Sequence, residues 1–508
     1  MKLNYKRTIL VGFAFFLISA FWQAYDAIVP LILTNHFGLD QLISGIVMSI
    51  DNVLAVFMLP IFGALSDKIM TRFGKRTPFI FIGTIAAVLA FISLTLIDSY
   101  QLRSVLDAGI AEKYQAATEL LQEANAALKE AGKAGDTTAV ALAKESIDHI
   151  NKVVIAGIRE ETLEITLGNL WPIIGFIGVL LLTLISMATF RSPAVALMPD
   201  VTIKPLRSKG NAIINLMGTA GGILVLVLGM VFKTSGNKYM QYTGYVLAVC
   251  AIMIAGLAVF IATVKERKWA EEMEEQTKAL GLEEVVEVHE DKRSLSRAEL
   301  KSLFLILASV ALWYVGYNSI TSKYSVYATN ILFFDFNLTL IIAQAAAIVA
   351  YIPVGIVASK IGRRKTILAG ITMLASAFFI ANFITFSTPE FAMYPVFILA
   401  GIGWATINVN SFPMVVELAK GGEVGKYTGY YYTASMAAQI VAPILSGAIY
   451  KLVGYMVGGD DIEGMRYVFF AFGTVFVALS FVTMFFVKHG DAKPEAQGAL
   501  ESLAGADD

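Results

Sequence analysis

The chain has 508 residues, 57% of them apolar and only 16% charged, with 39 Lys and Arg balancing 40 Asp and Glu for a net charge of −1. So apolar a composition at this length excludes a water-soluble protein. The cations lie in short loops rather than in one basic patch, so the charge gives no sign of nucleic acid and none is expected as a partner.

The apolar residues gather in runs of about 20, each long enough to cross a hydrocarbon core roughly 30 Å thick as a helix. In chain order the runs predict spans at about 8–34, 41–65, 77–98, 169–190, 210–232 and 241–264, then 303–328, 338–358, 366–387, 391–415, 426–450 and 465–487. The first run is too long, and lacks the small-residue site, for a cleaved signal, so it is expected to stay as span one. A lone Cys250 inside span six rules out an internal disulfide and reads as packing. Lys2, Lys6, Arg7 and the cations within 68–76, 204–209, 265–301, 360–365 and 420–426 share one side, whereas loops 35–40 and 388–390 carry none. The positive-inside rule makes the first side cytoplasmic, with both termini there, and a bacterial inner membrane is the simplest setting. A monomer is expected.

Four regions follow: a six-helix half at 1–264, a charged cytoplasmic linker with a surface helix at 265–302, a second six-helix half at 303–488, and a small, acidic tail at 489–508 expected to be disordered. The halves echo each other in one orientation. Gly63–Pro78, a glycine- and cation-rich loop between apolar runs, is matched by Gly355–Thr366, and Asp200 precedes Lys209 by nine residues as Glu417 precedes Lys426. Asp67 to Asp200 is 133 positions but Ser359 to Glu417 is 58, so the first half is longer by about 75. The surplus falls at 99–168, where Leu106, Ile110, Tyr114, Leu121 and Leu128 keep helical spacing up to the turn-forming A-G-K-A-G-D-T-T. An extracytoplasmic helical hairpin insertion is predicted there, serving as a lid or partner module or merely tolerated. Its acids Glu119, Glu123, Glu160, Glu161 and Glu164 read as a solvated face.

Two six-helix halves repeated in one orientation resemble the major facilitator superfamily, an all-α membrane fold in which substrate sits between the halves near mid-membrane and the halves rock around it. More narrowly, Ser66-Asp67 followed by Arg72-Phe73-Gly74-Lys75-Arg76-Thr77-Pro78-Phe79-Ile80 resembles a loop of the plant sucrose transporters and their animal relatives, within the glycoside-pentoside-hexuronide:cation symporters. Pro193-Ala194, Ala196-Leu197, Asp200, Arg207-Ser208-Lys209 and Asn211-Ala212 resemble the same family's segment linking spans four and five. The resemblance implies a cytoplasmic gate of Gly63, Asp67, Arg72, Gly74, Arg76, Asp200 and Lys209, echoed by Arg363, Arg364 and Glu417, with Asp67, Arg72 and Arg76 as a charge lock between the halves. Ser359 replaces the second acid, so a weaker lock is expected there. Arg191, near the inner end of span four, is placed with this gate, pairing with an acid or snorkelling to the cytoplasm. This chain also departs from the family. The melibiose-type sodium-site acids fall at Ala55 and Leu59, and the span-four aspartate of the sucrose transporters falls near Leu184, so any coupling site must lie elsewhere.

Carboxylates at membrane depth cost several kcal/mol unless paired, hydrated or protonated. Asp26 and Asp51 are such residues, about 12 and 15 Å from the same surface by helical rise, and are the candidates for proton coupling, preferred here over sodium. Sugar recognition needs flat aromatic faces and paired hydrogen-bonding groups. Trp22, Gln23 and Asp26 supply these in span one, with Trp22 and Asp26 on one face. Asn52, Tyr317, Asn318, Trp404, Asn408, Tyr431 and Gln439 are further candidates, each read equally as interface or interhelix packing. Phosphate-loop and H-E-x-x-H motifs are missing and the four histidines are scattered, so no catalysis, cofactor or metal is expected. The function expected is proton-coupled symport of a disaccharide or related glycoside, with an exporter of amphipathic compounds or a non-transporting sugar sensor as alternatives.

Overall fold

The structure, a computed structural model, describes residues 3–203, 206–279, 296–418 and 424–489. Lys204, Lys420, positions 280–295 of the expected linker and positions 490–508 of the expected tail lie outside the described residues. The helices are α1 (Tyr5–Leu31), α2 (Gln41–Lys68), α3 (Thr77–Asp107), α4 (Ile110–Ala134), α5 (Thr137–His149), α6 (Ala156–Gly168), α7 (Trp171–Asp200), α8 (Arg207–Val231), α9 (Thr243–Thr263), α10 (Glu266–Ala279), α11 (Arg297–Thr321), α12 (Tyr324–Tyr327), α13 (Phe336–Ile361), α14 (Arg363–Ala381), α15 (Met393–Val416), α16 (Val424–Met456) and α17 (Asp461–Phe485). Among the described residues, eleven unbroken helices are long and apolar enough to cross a membrane, and α13, bent by 49° between Tyr351 and Pro353, makes a twelfth. The bend has an ordinary cause, because Pro353 lacks the N–H that would continue the ladder.

Polar caps start the spans. Asp40 accepts from the amide of Ile43 at 2.7 Å to open α2, Asp460 accepts from that of Glu463 at 2.9 Å to open α17, and Ser296 with Glu299 forms a reciprocal capping box before α11. The second half therefore begins helical structure at Arg297, within the stretch expected to be linker. Span seven is interrupted: α11 stops at Thr321, Lys323 stands just before α12, and the chain continues as a π-turn at Ala328–Leu332.

The halves repeat in packing as well as in order. In the first half α1 packs on α8 and α9, and α7 on α2 and α3; in the second α11 packs on α16 and α17, and α15 on α13 and α14. The repeat extends to a detail. Both α1 and α12 run into π-turns, Ile32–His36 and Ala328–Leu332, that carry Thr34-Asn35 and Thr329-Asn330. Each is followed by a left-handed residue, Gly38 or Phe333, and then by the capping acid Asp40 or Asp335. Thr34 and Thr329, Asn35 and Asn330, Gly38 and Phe333, and Asp40 and Asp335 are each separated by 295 positions. The two asparagines meet, Asn330 donating to Asn35 Oδ1 at 2.9 Å in a buried contact between the halves.

We call distal the end of the bundle holding these turns, and proximal the end holding the start of α1 and the end of α17. The halves touch along α2–α16 and α8–α13. Near the distal end α2 and α16 approach so closely that a Cβ on Gly45 would lie 2.2 Å from the Pro443 carbonyl oxygen, and one on Gly447 2.3 Å from that of Gln41. Only glycine allows that contact. Within the second half, Gly401 brings α15 onto α13 in the same way, 2.2 Å from the Ala343 oxygen. Cys250 is buried in the main core, as packing requires.

Candidate functional site

A cavity of about 200 Å³ lies between the halves, beneath the Gly45–Pro443 contact. Trp22, Asp26, Met48, Asp51, Asn52 and Arg191 line it from the first half, and Asn318, Thr321, Ser322, Gln439 and Pro443 from the second. The geometry follows from helical periodicity. Trp22 and Asp26 are one turn apart on α1, while Met48, Asp51 and Asn52 occupy one face of α2, so two helices deliver both acids to one space.

Within the cavity wall the Trp22 ring is set edge-on by Phe21 and Tyr25, with centroids 5.4 and 5.3 Å away, and the Arg191 guanidinium carbon stands 5.5 Å from the ring centroid. The indole N–H is buried without a hydrogen-bond partner. Asp51 Oδ1 accepts from the Asn52 backbone N–H at 2.6 Å and its side-chain amide at 2.7 Å, which leaves Oδ2 for another group. Asp26 is exposed to the cavity. Two carboxylates, one guanidinium, one indole and amides from both halves thus face the same water-accessible space.

Several expected contacts are placed elsewhere. Gln23 accepts from Gln344 at 2.7 Å and so joins the halves rather than lining the cavity. Tyr317 and Trp404 stack on each other at 3.7 Å with an interplanar angle of 6°, and Tyr431 is buried with its hydroxyl 2.9 Å from that of Ser411. Tyr317 and Trp404 are thus packed on each other, and the Tyr431 ring packs against Phe412 and Tyr432, all within the second half. Asn408 is partly buried on α15 and outside the cavity lining, its carbonyl accepting from Ser411 at 3.3 Å. The wholly buried Lys323 donates to Gln41, at 2.7 Å to its carbonyl and 3.0 Å to its side-chain oxygen. Arg191 neither snorkels nor joins the proximal gate, because its position on α7 turns it onto Trp22 inside the cavity. Among the described residues no group of acidic, histidine or cysteine side chains has the arrangement of a metal site.

The proximal cluster is centred on Arg76, which is 6% exposed. Its Nε donates to Asp200 at 2.7 Å and its terminal nitrogens donate to Asp67 and Ser66, so one guanidinium joins the ends of α2, α3 and α7. Burial opposes its charge, but Asp200 and Asp67 outweigh burial and hold Arg76 above its ordinary value. All these partners belong to the first half. In this conformation the charge lock expected between the halves is thus a clamp within one of them. Arg72 lies over the Phe73 ring at 4.7 Å and takes no part, Lys209 is exposed, and the Gly63 carbonyl accepts weakly from Arg76 at 3.5 Å. The second half repeats the clamp more loosely, Arg363 donating to Glu417 at 3.1 Å, while Arg364 donates to the Phe485 carbonyl.

Glu266, the first residue of α10, was not legible as part of this cluster. It is 3% exposed and accepts from the amides of Lys75, Arg76 and Thr77 at 2.6 to 2.8 Å and from the Thr77 hydroxyl at 2.7 Å, capping α3 from the far side of the sequence. Gly74, at φ +120°, lets the loop wrap the carboxylate. Glu266→Ala would strand these donors at a helix N-terminus, and a loss of about 2–3 kcal/mol is expected. It is read as a drop of several degrees in apparent Tm of the detergent-solubilised protein, with Glu266→Gln intermediate.

Comparison with known proteins bears on the same features. The family model described as Major Facilitator Superfamily matches residues 324–505, and that described as MFS/sugar transport protein matches residues 10–98. The inward-open xylose transporter XylE from E. coli superposes with a TM-score of 0.58 at 15% identity, over 98% of this chain and 99% of that one. This is the major facilitator fold. A bacterial homologue of the human drug peptide transporters PepT1 and PepT2 has a TM-score of 0.59 at 11% identity over 99% of both chains, and the nucleoside transporter NupG 0.51 at 15% over 94% and 99%. No curated protein matches in sequence. At such identities the neighbours establish the fold alone.

Proposed function

We propose that the chain is a proton-coupled sugar transporter working by alternating access, its substrate a disaccharide or related glycoside. The observation that carries this reading is the meeting of Trp22, Asp26, Asp51, Asn52 and Arg191 with Asn318 and Gln439 in one cavity between the halves. An indole face suits the apolar face of a pyranose, and carboxylate, guanidinium and amide groups suit its hydroxyls. A match to a sugar-transport family model over 10–98 supports the substrate class, since that segment holds four of the cavity residues just named.

Asp26 and Asp51 are the proton-coupling pair in this reading. Two carboxylates sharing a cavity with one guanidinium leave an excess negative charge that a proton neutralises, and neutralisation removes the cost of closing the bundle over them. By the positive-inside distribution we place the proximal end in the cytoplasm and the distal end outside, with a bacterial inner membrane as the simplest setting. The proximal clamps on Arg76 and Arg363 then hold each half rigid as it rocks.

Uptake of labelled glycosides into proteoliposomes, with and without an imposed pH gradient, tests the proposal. Accumulation driven by external acid is expected. Acid-driven extrusion would favour an exporter, and binding without accumulation a sensor; either result would overturn symport.

A further inference from the structure

The helices α4, α5 and α6 belong neither to the candidate membrane spans nor to the cavity lining. They stand on the first half through apolar contacts: Ile110, Ala117 and Ile158 share a small core with Leu102 and Val105 of α3 and with Tyr239 of the α8–α9 loop. Polar backbone contacts add to this, Thr166 donating to the Phe37 carbonyl at 2.9 Å, and α6 lies so near the α1–α2 turn that a Cβ on Gly38 would meet the Leu163 amide at 2.6 Å. Toward the second half the contact is of another kind. Arg159 of α6, 6% exposed, donates to Asp460 at 2.6 Å and also to Asp461, both at the N-terminus of α17. Asp461 in turn accepts from the Gln41 amide that opens α2, and Gln41 receives the ammonium of Lys323. One knot therefore joins the arm, the first half and the second half at the distal end.

We propose that this arm is a distal latch: seated on the first half by apolar packing, it grips the second half through Arg159 and must release Asp460 and Asp461 each time the distal side opens. The proposal rests on the alternating-access reading. The division of labour has a physical reason. An apolar seat is permanent because separating it exposes hydrocarbon, whereas a charged contact can part and rehydrate, water replacing each partner. The grip is nonetheless firm while closed, since burial opposes the Arg159 charge but Asp460 and Asp461 outweigh it and hold the guanidinium above its ordinary range. Lys238 lies beside it with its ammonium 4.1 Å from the Tyr114 ring centroid, and burial, with Arg159 adding to it, pushes Lys238 down to about 7.

Ser322, at the cavity wall, serves as reporter when replaced, Ser322→Cys, in a Cys250→Ser background. A membrane-impermeant maleimide is applied to one face of oriented vesicles and then to the other. Removing the grip with Arg159→Ala is expected to raise labelling from the distal face on the order of tenfold and to lower it from the proximal face, with Arg159→Lys between. Reciprocity is the decisive readout, because a merely destabilised protein would label faster from both faces. Unchanged rates, or a rise from both faces in Arg159→Ala and in Asp461→Asn alike, would overturn the latch. If the parent reporter labels from one face only and no variant alters this, alternating access itself fails and the latch with it.

Discussion

Asp51→Asn is expected to abolish accumulation driven by a pH gradient while leaving downhill exchange of sugar measurable. With one proton per sugar, a gradient of one pH unit sustains about a tenfold accumulation, and the variant should fall to an accumulation ratio of about one. The reasoning is local. Asn52 already occupies Asp51 Oδ1 with two short hydrogen bonds, so an amide in its place keeps the shape and the Oδ1 acceptor while removing the atom that binds the proton. Arg191, facing the same cavity, would then lack the Asp51 carboxylate. Counterflow in proteoliposomes without a gradient, beside uptake with one, separates the two properties. Gradient-driven accumulation at the parent level would remove Asp51 from coupling and leave Asp26 as the remaining acid.

Trp22→Ala should weaken sugar binding by about 1–3 kcal/mol, a rise in Kd of roughly 5- to 150-fold. The ring is preset by Phe21 and Tyr25 at its edges, so a ligand stacking on it finds a surface already ordered. Trp22→Phe keeps a six-membered ring as part of the platform and loses the fused ring with its unpartnered indole N–H, for a loss of about 1 kcal/mol. Titration calorimetry with the transported glycoside measures both. Native affinity in Trp22→Ala would exclude the ring as a platform, and equal losses in the two variants would assign the effect to the five-membered ring and its N–H rather than to a phenyl-sized stacking face.

Much of the fold could be read from local pattern. Apolar runs of the right length, loop cations on one side and the paired Gly63–Pro78 and Gly355–Thr366 segments depend on neighbours in sequence, and the twelve spans followed from them. Part of the site was legible for the same reason. Trp22 with Asp26, and Asp51 with Asn52, are fixed to common faces by helical periodicity, and an acid at membrane depth needs an aqueous or polar surrounding whatever helix lies opposite. The sequence also carries Thr34-Asn35 and Asp40 again 295 positions later as Thr329-Asn330 and Asp335, in the pseudo-symmetric turns where the halves meet.

By itself, then, the sequence determined the class of protein, the number and order of its spans, the twofold repetition and the helical faces that carry Trp22, Asp26 and Asp51, because each depends on spacing along one helix. Only the tertiary structure decided which groups meet across the repeat. Arg191 lines the cavity instead of the proximal gate, Glu266 caps α3 from about 190 positions away, Gln23 and Lys323 join the halves, and Arg159 crosses to Asp460 and Asp461. Such contacts are set by the crossing geometry and close approach of helices distant in the chain, and hydrophobic periodicity says which side of a helix is buried without saying what it is buried against.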